Sequence, residues 1–304
     1  MERLAVIDLG SNSIRMSIFE IEKGGKANQI GAYRNMIKLS EGMSDDMCLK
    51  PEAQLRAIKA LLEYKHILDV KGVTNVRAVA TAAVRKAKNG AQFVASAKDV
   101  VGIGIEVIDG EYEAALDCLA VSKAVGCSDG IICDIGGGST EFIAIKNGKM
   151  QKPAVSIPMG SRSLTEEFFA GGETAEAMDR AKEFVNSRLD EIPWLDDMTN
   201  VPILGIGGTL RAFAKYHMGD ISKDAVNCHN ISSDEIDRLF MNVANATPEE
   251  RQLMAGIGKE RCDIILGGLI PFMRLKERVN SPELIVADVG VREGILFEYL
   301  ENRK

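Results

Sequence analysis

The chain has 304 residues, of which 46% are hydrophobic and 27% charged, and its formal net charge is −7. This length accommodates two domains, and the composition is that of a globular protein without low-complexity segments. The negative charge argues against a general nucleic-acid binder, and neither a signal peptide nor an apolar run of about 20 residues is recognisable. We therefore expect a cytoplasmic protein with no nucleic-acid or membrane partner.

Apolar strands alternate with helices in the first half. The predicted elements are strands at 4–7, 14–21, 76–80 and 105–109 and helices at 51–68, 89–97 and 111–125. The long helix begins at Pro51 and carries its apolar residues on one face. The segment "VGCSDG" (125–130) interrupts the last helix. It predicts a domain boundary, with one domain over 1–126 and a second over 127–304.

The second half opens by repeating the first. "DLGSNS" (8–13) and "DIGGGS" (134–139) each follow one apolar strand and precede another. In each, an Asp precedes Leu or Ile, then Gly, two small or polar residues, and Ser. A repeated strand–loop–strand unit indicates two related α/β domains. The later elements are strands at 154–157, 202–208 and 283–288 and helices from Ser163 and at 174–189, 209–216, 234–244, 262–277 and 291–300. Pro271 is expected to kink or break its helix.

Three loops have the composition of anion sites. Glycine lets backbone N–H groups approach a phosphate, and Ser and Thr hydroxyls add donors. The residues concerned are Ser11, Asn12 and Ser13; Gly136, Gly137, Gly138 and Ser139; and Gly207, Gly208 and Thr209. The third loop also begins a helix, whose dipole favours an anion. Each loop alone is equally typical of a turn, but the duplication favours phosphate binding. Neither a P-loop nor a complete G-x-G-x-x-G is present.

Charged residues lie beside these loops. Asp8 and Asp134 end equivalent strands, and two facing carboxylates suit Mg²⁺, although each can also cap its own loop. Glu141 begins the strand after its loop. Glu113 lies in the first turn of a helix, where a Glu is usually a dipole or capping residue, but its position after a strand end also suits a general base. Arg15 and Arg85 follow strand ends and can bind phosphate or form surface ion pairs.

Cysteine and histidine give weaker signals. The six cysteines form no C-x-x-C pair, which is typical of reduced thiols in a cytosolic protein. His229 beside Cys228 can ligate a metal, but the sequence offers no group that completes a site.

The motifs together resemble the exopolyphosphatase/guanosine pentaphosphate phosphohydrolase family, within the acetate and sugar kinase, heat-shock protein 70 and actin superfamily. The resemblance covers nearly the whole chain and rests on short motifs in a specific order. They are "DLGSNSIR" (8–15), "ATAAVRKAKN" (80–89), "EVIDGEYEA" (106–114), "DIGGGSTE" (134–141), "PMGS" (158–161), "GIGGT" (205–209), "ERCDIILGG" (260–268) and "VREGIL" (291–296). The chain lacks a C-terminal His-Asp-type region and so resembles the short form.

The resemblance implies two ribonuclease-H-like α/β domains flanking an interdomain cleft, with the final helix packing back on the first domain. It implies a hydrolase that processively releases terminal phosphate from polyphosphate, or the 5′-phosphate of guanosine pentaphosphate, with Mg²⁺ or Mn²⁺, as a homodimer. Glu113 matches the family's general base and Glu141 a second essential glutamate near water and metal. Asp134 matches a metal-linked aspartate, and Arg15, Arg85 and the three loops match phosphate-binding positions. A kinase of the same superfamily and a noncatalytic nucleotide sensor are the alternatives.

Three positions depart from the family pattern. Tyr112 replaces the first of two adjacent acidic residues, while Glu113 is kept. Ser163 stands where an Arg is common, with Arg162 one residue earlier, and Lys38 replaces another Arg. We expect these changes to weaken the hold on a long polyanion.

Overall fold

The protein is described by a computed structural model that covers residues 2–43, 46–126, 129–219, 226 and 228–303. It divides into two compact units. Unit 1 comprises Met1–Leu116 with Val291–Lys304, and unit 2 comprises Asp117–Gly290. The division lies ten residues before the sequence-predicted boundary at 126/127, and it groups the final helix with unit 1.

Unit 1 is built on a five-stranded sheet in the order β3-β2-β1-β4-β5. Its first three strands are antiparallel, whereas β1, β4 and β5 are parallel. The strands are β1 Glu2–Leu9, β2 Ser13–Ile21, β3 Ala27–Met36, β4 Asn75–Ala80 and β5 Ile105–Val107. The helices are α1 Pro51–Val70, α2 Ala82–Lys86, α3 Gly90–Val101, the start of α4 Gly110–Ala124, and α12 Val291–Glu301.

Unit 2 contains a larger sheet in the order β11-β12-β10-β6-β7-β8, with β9 also paired to β7. The strands are β6 Gly130–Ile135, β7 Thr140–Lys146, β8 Lys149–Met150, β9 Val155–Ile157, β10 Ile203–Ile206, β11 His229–Ser232 and β12 Glu283–Val286. The helices are α5 Ser161–Phe168, α6 Ala175–Leu189, α7 Gly207–Met218, α8 Ser233–Asn245, α9 Pro248–Leu253, α10 Gly258–Arg261 and α11 Ile265–Arg278, with a 3₁₀ turn at Pro193–Asp197.

The two sheets share one strand order. The path β3-β2-β1-β4-β5 of unit 1 corresponds to β9-β7-β6-β10-β12 of unit 2. In both, two antiparallel hairpin partners are followed by parallel strands. The predicted α/β class with two related domains is therefore confirmed.

The apolar first strand explains the layering of unit 1. Successive side chains of a strand point to opposite faces. Ala5, Ile7 and Leu9 belong to the core beneath α1 and α3, whereas Leu4 and Val6 join the core formed with α12. Because both faces are covered, β1 is a continuous apolar run and holds Asp8 at its end in a fixed position.

Two features differ from the sequence expectation. Strand β3 has no counterpart among the predicted elements, because its residues are mostly polar and none is fully buried. Helix α11 continues through Pro271 rather than breaking there. Residues 265–273 are all buried, so tertiary packing outweighs the local cost of proline.

In the described part of the chain, no helix is both long and apolar enough to cross a membrane. The cysteines described there are all free, and Cys118 and Cys133 are buried. Cys127 lies outside the described residues.

Tyr64 offers a test of how α1 supports the first hairpin. Its buried hydroxyl donates to the carbonyl of Ile14 over 3.0 Å. We expect Tyr64→Phe to reduce the free energy of unfolding by about 1–2 kcal/mol, since a buried acceptor loses its donor. Urea unfolding measures this change, with the neighbouring Tyr33→Phe as control. Equal losses in both variants would contradict the assignment.

The same side chain predicts an alkaline effect. Burial raises the pKa of Tyr64 above its ordinary value of 10.0. The stability from keeping the phenol neutral is complete below the unfolded-state pKa and is lost as the pH rises above it. Unfolding free energy should therefore decrease above pH ~10, and less so in Tyr64→Phe.

Candidate active site

The first loop of unit 1 is a closed hairpin turn that is held by backbone hydrogen bonds from the segment after β3. The N–H of Gly10 donates to the carbonyl of Ser13 over 3.1 Å. The N–H groups of Ile37 and Lys38 donate to Asn12, and that of Ser40 donates to Ser11. The segment after β3 thus fixes the loop through its carbonyl groups. Asp8 and Arg15 are direct cross-strand partners at the base of the hairpin.

Glu113 and Arg85 form the second feature of unit 1. Strands β4 and β5 are parallel neighbours, so the segments after them emerge at one edge of the sheet. There Arg85 Nη1 donates to Glu113 Oε2 over 2.9 Å and to the carbonyl of Ile108 over 2.8 Å. Glu113 is only 7% exposed. The guanidinium therefore orients the carboxylate. The sequence predicted Arg85 as a phosphate ligand, whereas the structure places it on the predicted base.

The glycine loop of unit 2 repeats the first turn. The N–H of Gly136 donates to the carbonyl of Ser139 over 2.9 Å. Helix α5 supports this loop, because the N–H groups of Ser161 and Arg162 donate to the carbonyls of Gly136 and Gly137, each over 2.9 Å. Because α5 binds these two carbonyl groups, it fixes the conformation of the loop.

Two acidic residues meet at the base of this second hairpin. Asp134 and Glu141 are direct cross-strand partners, so their side chains share one face of the sheet. Glu141 is 2% exposed, and Ser156 Oγ donates to its Oε1 over 2.7 Å. Burial raises the pKa of the Cys133 thiol, which precedes Asp134, and the charges of both carboxylates raise it further.

The third loop lies against Asp134. Gly207 has φ of +84°, and a Cβ here would overlap the Asp134 carboxylate, so a glycine is required. A Cβ at Gly208 would likewise overlap the guanidinium of Arg261, which ends α10. Thr209 is almost completely buried in the first turn of α7.

Arg261 was not assigned from the sequence, although it lies within the motif "ERCDIILGG". It is 53 residues from Gly208 along the chain, and no local pattern connects the two positions. The predicted residues Ser11–Ser13, Arg15, Gly136–Ser139 and Gly207–Thr209 all lie in or beside the loops described above. Their binding roles stay predictions.

The departures from the family pattern have structural roles. Tyr112 donates its hydroxyl to Glu298 Oε2 over 2.7 Å, which connects α4 to α12. Its burial, followed by its hydrogen bond to Glu298, raises the pKa of Tyr112 to about 12. Ser163 Oγ accepts the N–H of Gly160 over 2.9 Å and caps α5. Lys38 adopts a left-handed conformation, with φ of 45°, in the segment that supports the first loop.

Comparison with known proteins identifies the family. Residues 17–303 match the Ppx/GppA phosphatase family. The chain belongs to this family. This confirms the resemblance that the motifs indicated.

Three relatives illustrate the extent of the similarity. A guanosine-5′-triphosphate,3′-diphosphate pyrophosphatase from Pseudoalteromonas atlantica is 29% identical over 307 residues, which cover 99% of this chain and 59% of that protein. A Ppx/GppA family member from Aquifex aeolicus is 30% identical with a TM-score of 0.82, covering 100% of this chain and 99% of that one. An exopolyphosphatase from Cytophaga hutchinsonii is 25% identical with a TM-score of 0.92, covering 99% and 98%.

The solved structures match this chain over their full length, but the curated sequences are longer. The chain spans about half the length of the curated relatives it matches, 47% and 59%. The shared part therefore corresponds to the two units described here.

Gly160 provides a test of the loop support. A Cβ at Gly160 would lie 2.5 Å from backbone atoms of Gly137, Gly138 and Ser139. We expect Gly160→Ala to displace the loop and to lower the free energy of unfolding by about 1–3 kcal/mol. Denaturant unfolding and amide hydrogen exchange of residues 136–139 measure the two effects.

The matched control is Gly171→Ala in the same unit, where an added Cβ meets nothing within 4 Å. Normal exchange at the loop in Gly160→Ala would show that α5 does not determine its conformation.

Proposed function

We propose that this chain is a phosphoanhydride hydrolase that releases terminal phosphate from inorganic polyphosphate or the 5′-phosphate from guanosine pentaphosphate. The family supports this proposal, as do relatives named as an exopolyphosphatase and as a guanosine-5′-triphosphate,3′-diphosphate pyrophosphatase. The observation that carries it is the nearly buried Glu113 carboxylate held by Arg85.

Glu113 is assigned as the general base. A base for hydrolysis must be ionised and must lie within hydrogen-bond reach of the attacking water. Arg85 orients the Glu113 carboxylate by donating to Oε2, and this carboxylate would accept the proton of the attacking water. The second guanidinium nitrogen of Arg85 is then available to a phosphate oxygen.

The glycine loops are assigned to the phosphate that is released. In unit 1 the hydroxyls of Ser11 and Ser13, and in unit 2 the hydroxyl of Ser139, add donors to the backbone N–H groups of their own loops that can bind phosphate oxygens. Arg261 adds a positive charge over Gly208 that can compensate the negative charge developing on the phosphate. Arg15 serves the first loop in the same way.

The carboxylates of unit 2 fit a divalent cation. Two like charges directly opposite on neighbouring strands destabilise a sheet unless a cation compensates them, and carboxylate oxygens are the ligands Mg²⁺ prefers. Asp134 and Glu141 would hold Mg²⁺ or Mn²⁺, which would polarise the phosphate and neutralise its charge. Asp8 is a further predicted ligand, although Arg15 lies opposite it.

No cluster of three or more His, Cys, Asp or Glu side chains suited to a metal occurs among the residues that the structure describes. The protein would therefore supply one or two carboxylates to the ion, with water and substrate oxygens as the remaining ligands, which is usual for Mg²⁺.

Substitution of Glu113 tests the base. We expect Glu113→Gln to reduce the rate of phosphate release by about 10²–10⁴-fold, because the amide cannot accept the proton. Released phosphate is measured under single-turnover and steady-state conditions. The control is Glu111→Gln, an exposed residue in the same helical turn. Undiminished turnover in a folded Glu113→Gln protein would remove this assignment.

Comparison of substrates tests the reaction class. Phosphate release with Mg²⁺ is measured for long polyphosphate, short polyphosphate and guanosine pentaphosphate, with and without a chelator. Free phosphate from at least one is expected. Phosphate found on an acceptor instead would identify a kinase, and tight binding without turnover a nucleotide sensor.

The processive mode, the homodimer and the cytoplasmic location are parts of the same proposal, supported by the family resemblance. The net charge of −7 supports the absence of a nucleic-acid partner.

A further inference from the structure

Two of the three histidines of the chain meet in unit 2. His217 lies in the last turn of α7, and His229 is the first residue of β11. His217 Nδ1 and His229 Nε2 are 2.8 Å apart, and the ring planes are tilted by 47°. Both side chains are partly exposed, so an ion can reach them from solvent.

Glu235 determines which nitrogen of His217 faces its partner. Glu235 Oε2 accepts the N–H of Ser232 over 3.2 Å and its hydroxyl over 2.6 Å, which fixes the carboxylate in the cap of α8. Its Oε1 faces His217 Nε2 at 3.5 Å. A charged acceptor there favours the proton on Nε2, which leaves the lone pair of Nδ1 directed at His229.

This arrangement is that of many metal-binding histidines. A ligating histidine commonly presents one ring nitrogen to the ion and the other N–H to a carboxylate, which fixes its tautomer and orientation. Ligation requires the neutral imidazole, whose unprotonated ring nitrogen offers its lone pair to the ion.

We propose that His217 Nδ1 and His229 Nε2 form a two-histidine site for a divalent transition metal such as Zn²⁺, Ni²⁺ or Cu²⁺. Imidazole nitrogen suits these ions, whereas Mg²⁺ prefers oxygen. With metal–nitrogen bonds of about 2.0–2.1 Å, tetrahedral geometry separates the two nitrogens by about 3.3 Å. The two nitrogens need to separate by roughly half an ångström from the hydrogen-bonded pair, and the rings need to turn so that both lone pairs point to the ion rather than to each other.

The proton balance is simple. In the neutral pair one proton lies between the two nitrogens, carried by His229 Nε2 and accepted by His217 Nδ1. When the metal binds, it replaces this proton between the two rings. The proton then resides on His229 Nδ1, so no net proton is released. Among the described residues no third His, Cys, Asp or Glu joins the pair. Water molecules complete the coordination.

The site is separate from the proposed phosphate loop at the start of α7 in the same unit. His217 is ten residues beyond Gly207 in α7, which is about 15 Å at 1.5 Å per residue. A metal there connects the end of α7 to β11 and the start of α8. Because it binds the folded chain, it should raise the unfolding temperature of unit 2 by mass action.

Zinc titration of the full chain tests the site. Isothermal calorimetry is performed with Zn²⁺ in excess Mg²⁺, which occupies oxygen-ligand sites. We expect one ion to bind the wild type, and His217→Gln or His229→Gln to weaken its binding by at least about tenfold. Glu235→Gln keeps the capping box and should weaken binding by about tenfold through loss of the orienting charge.

His66→Gln is the matched control, since His66 is the third histidine and lies exposed on α1. It should bind Zn²⁺ like the wild type. Zinc affinity that is unchanged in both His217→Gln and His229→Gln would overturn the proposal.

A second measurement needs no variant. Nitrogen-15 spectra of the histidine rings should show His217 Nδ1 and His229 Nε2 shifting together as Zn²⁺ is added, while His66 stays unchanged. Shifts only at His66, or at none of the three rings, would also overturn the proposal.

Discussion

One backbone hydrogen bond, made once in each unit, determines which side chains lie opposite each other at the base of each loop hairpin. The first glycine of each loop donates its N–H to the serine three residues later, Gly10 to Ser13 and Gly136 to Ser139. This bond closes the turn and sets the register of the two strands that the turn connects. In each hairpin the aspartate that ends the first strand then lies opposite the residue seven positions later. A slip by one residue would turn these side chains to the other face.

The side chains paired at the base of this turn differ in charge between the two units. In unit 1 the opposed pair is Asp8 and Arg15, which can compensate each other. In unit 2 it is Asp134 and Glu141, which repel. A hydroxyl from Ser156 donates to Glu141. The duplicated backbone therefore presents a cationic side chain in one unit and a second carboxylate in the other at the same position of the second strand.

The local parts of this site could be predicted from the sequence, whereas its long-range pairs could not. The repeated motif predicted both hairpins and the positions of Asp8 and Asp134, since each hairpin turn with its flanking charged residues is contained in eight residues. The Arg85–Glu113 bond depends on β4 and β5 being neighbours, and the Arg261–Gly208 approach on the placement of α10. Such contacts between distant segments have no period or spacing that a sequence pattern can show. His217 and His229 meet for the same reason.

Elements were missed where tertiary packing replaced local preference. Strand β3 is largely polar because it lies at the edge of its sheet, so its pattern resembles a loop. A proline usually ends a helix because it removes a backbone donor. Here the residues of α11 on either side of Pro271 are buried. Packing stabilises the helix by more than the proline costs. In both cases the neighbours of the element, rather than its own residues, decide the structure.

The electrostatics of the chain place a constraint on any phosphate-rich substrate. A net charge of −7 repels a polyanion at long range, and salt screens this repulsion beyond about 10 Å. Attraction must therefore come from cationic side chains at short range, and the fold holds two such side chains in place. Arg85 is held by Glu113 and Ile108, and Arg261 lies over Gly208. Because Arg85 also binds Glu113, in the proposed reaction both recognition of phosphate and activation of water would depend on the same guanidinium.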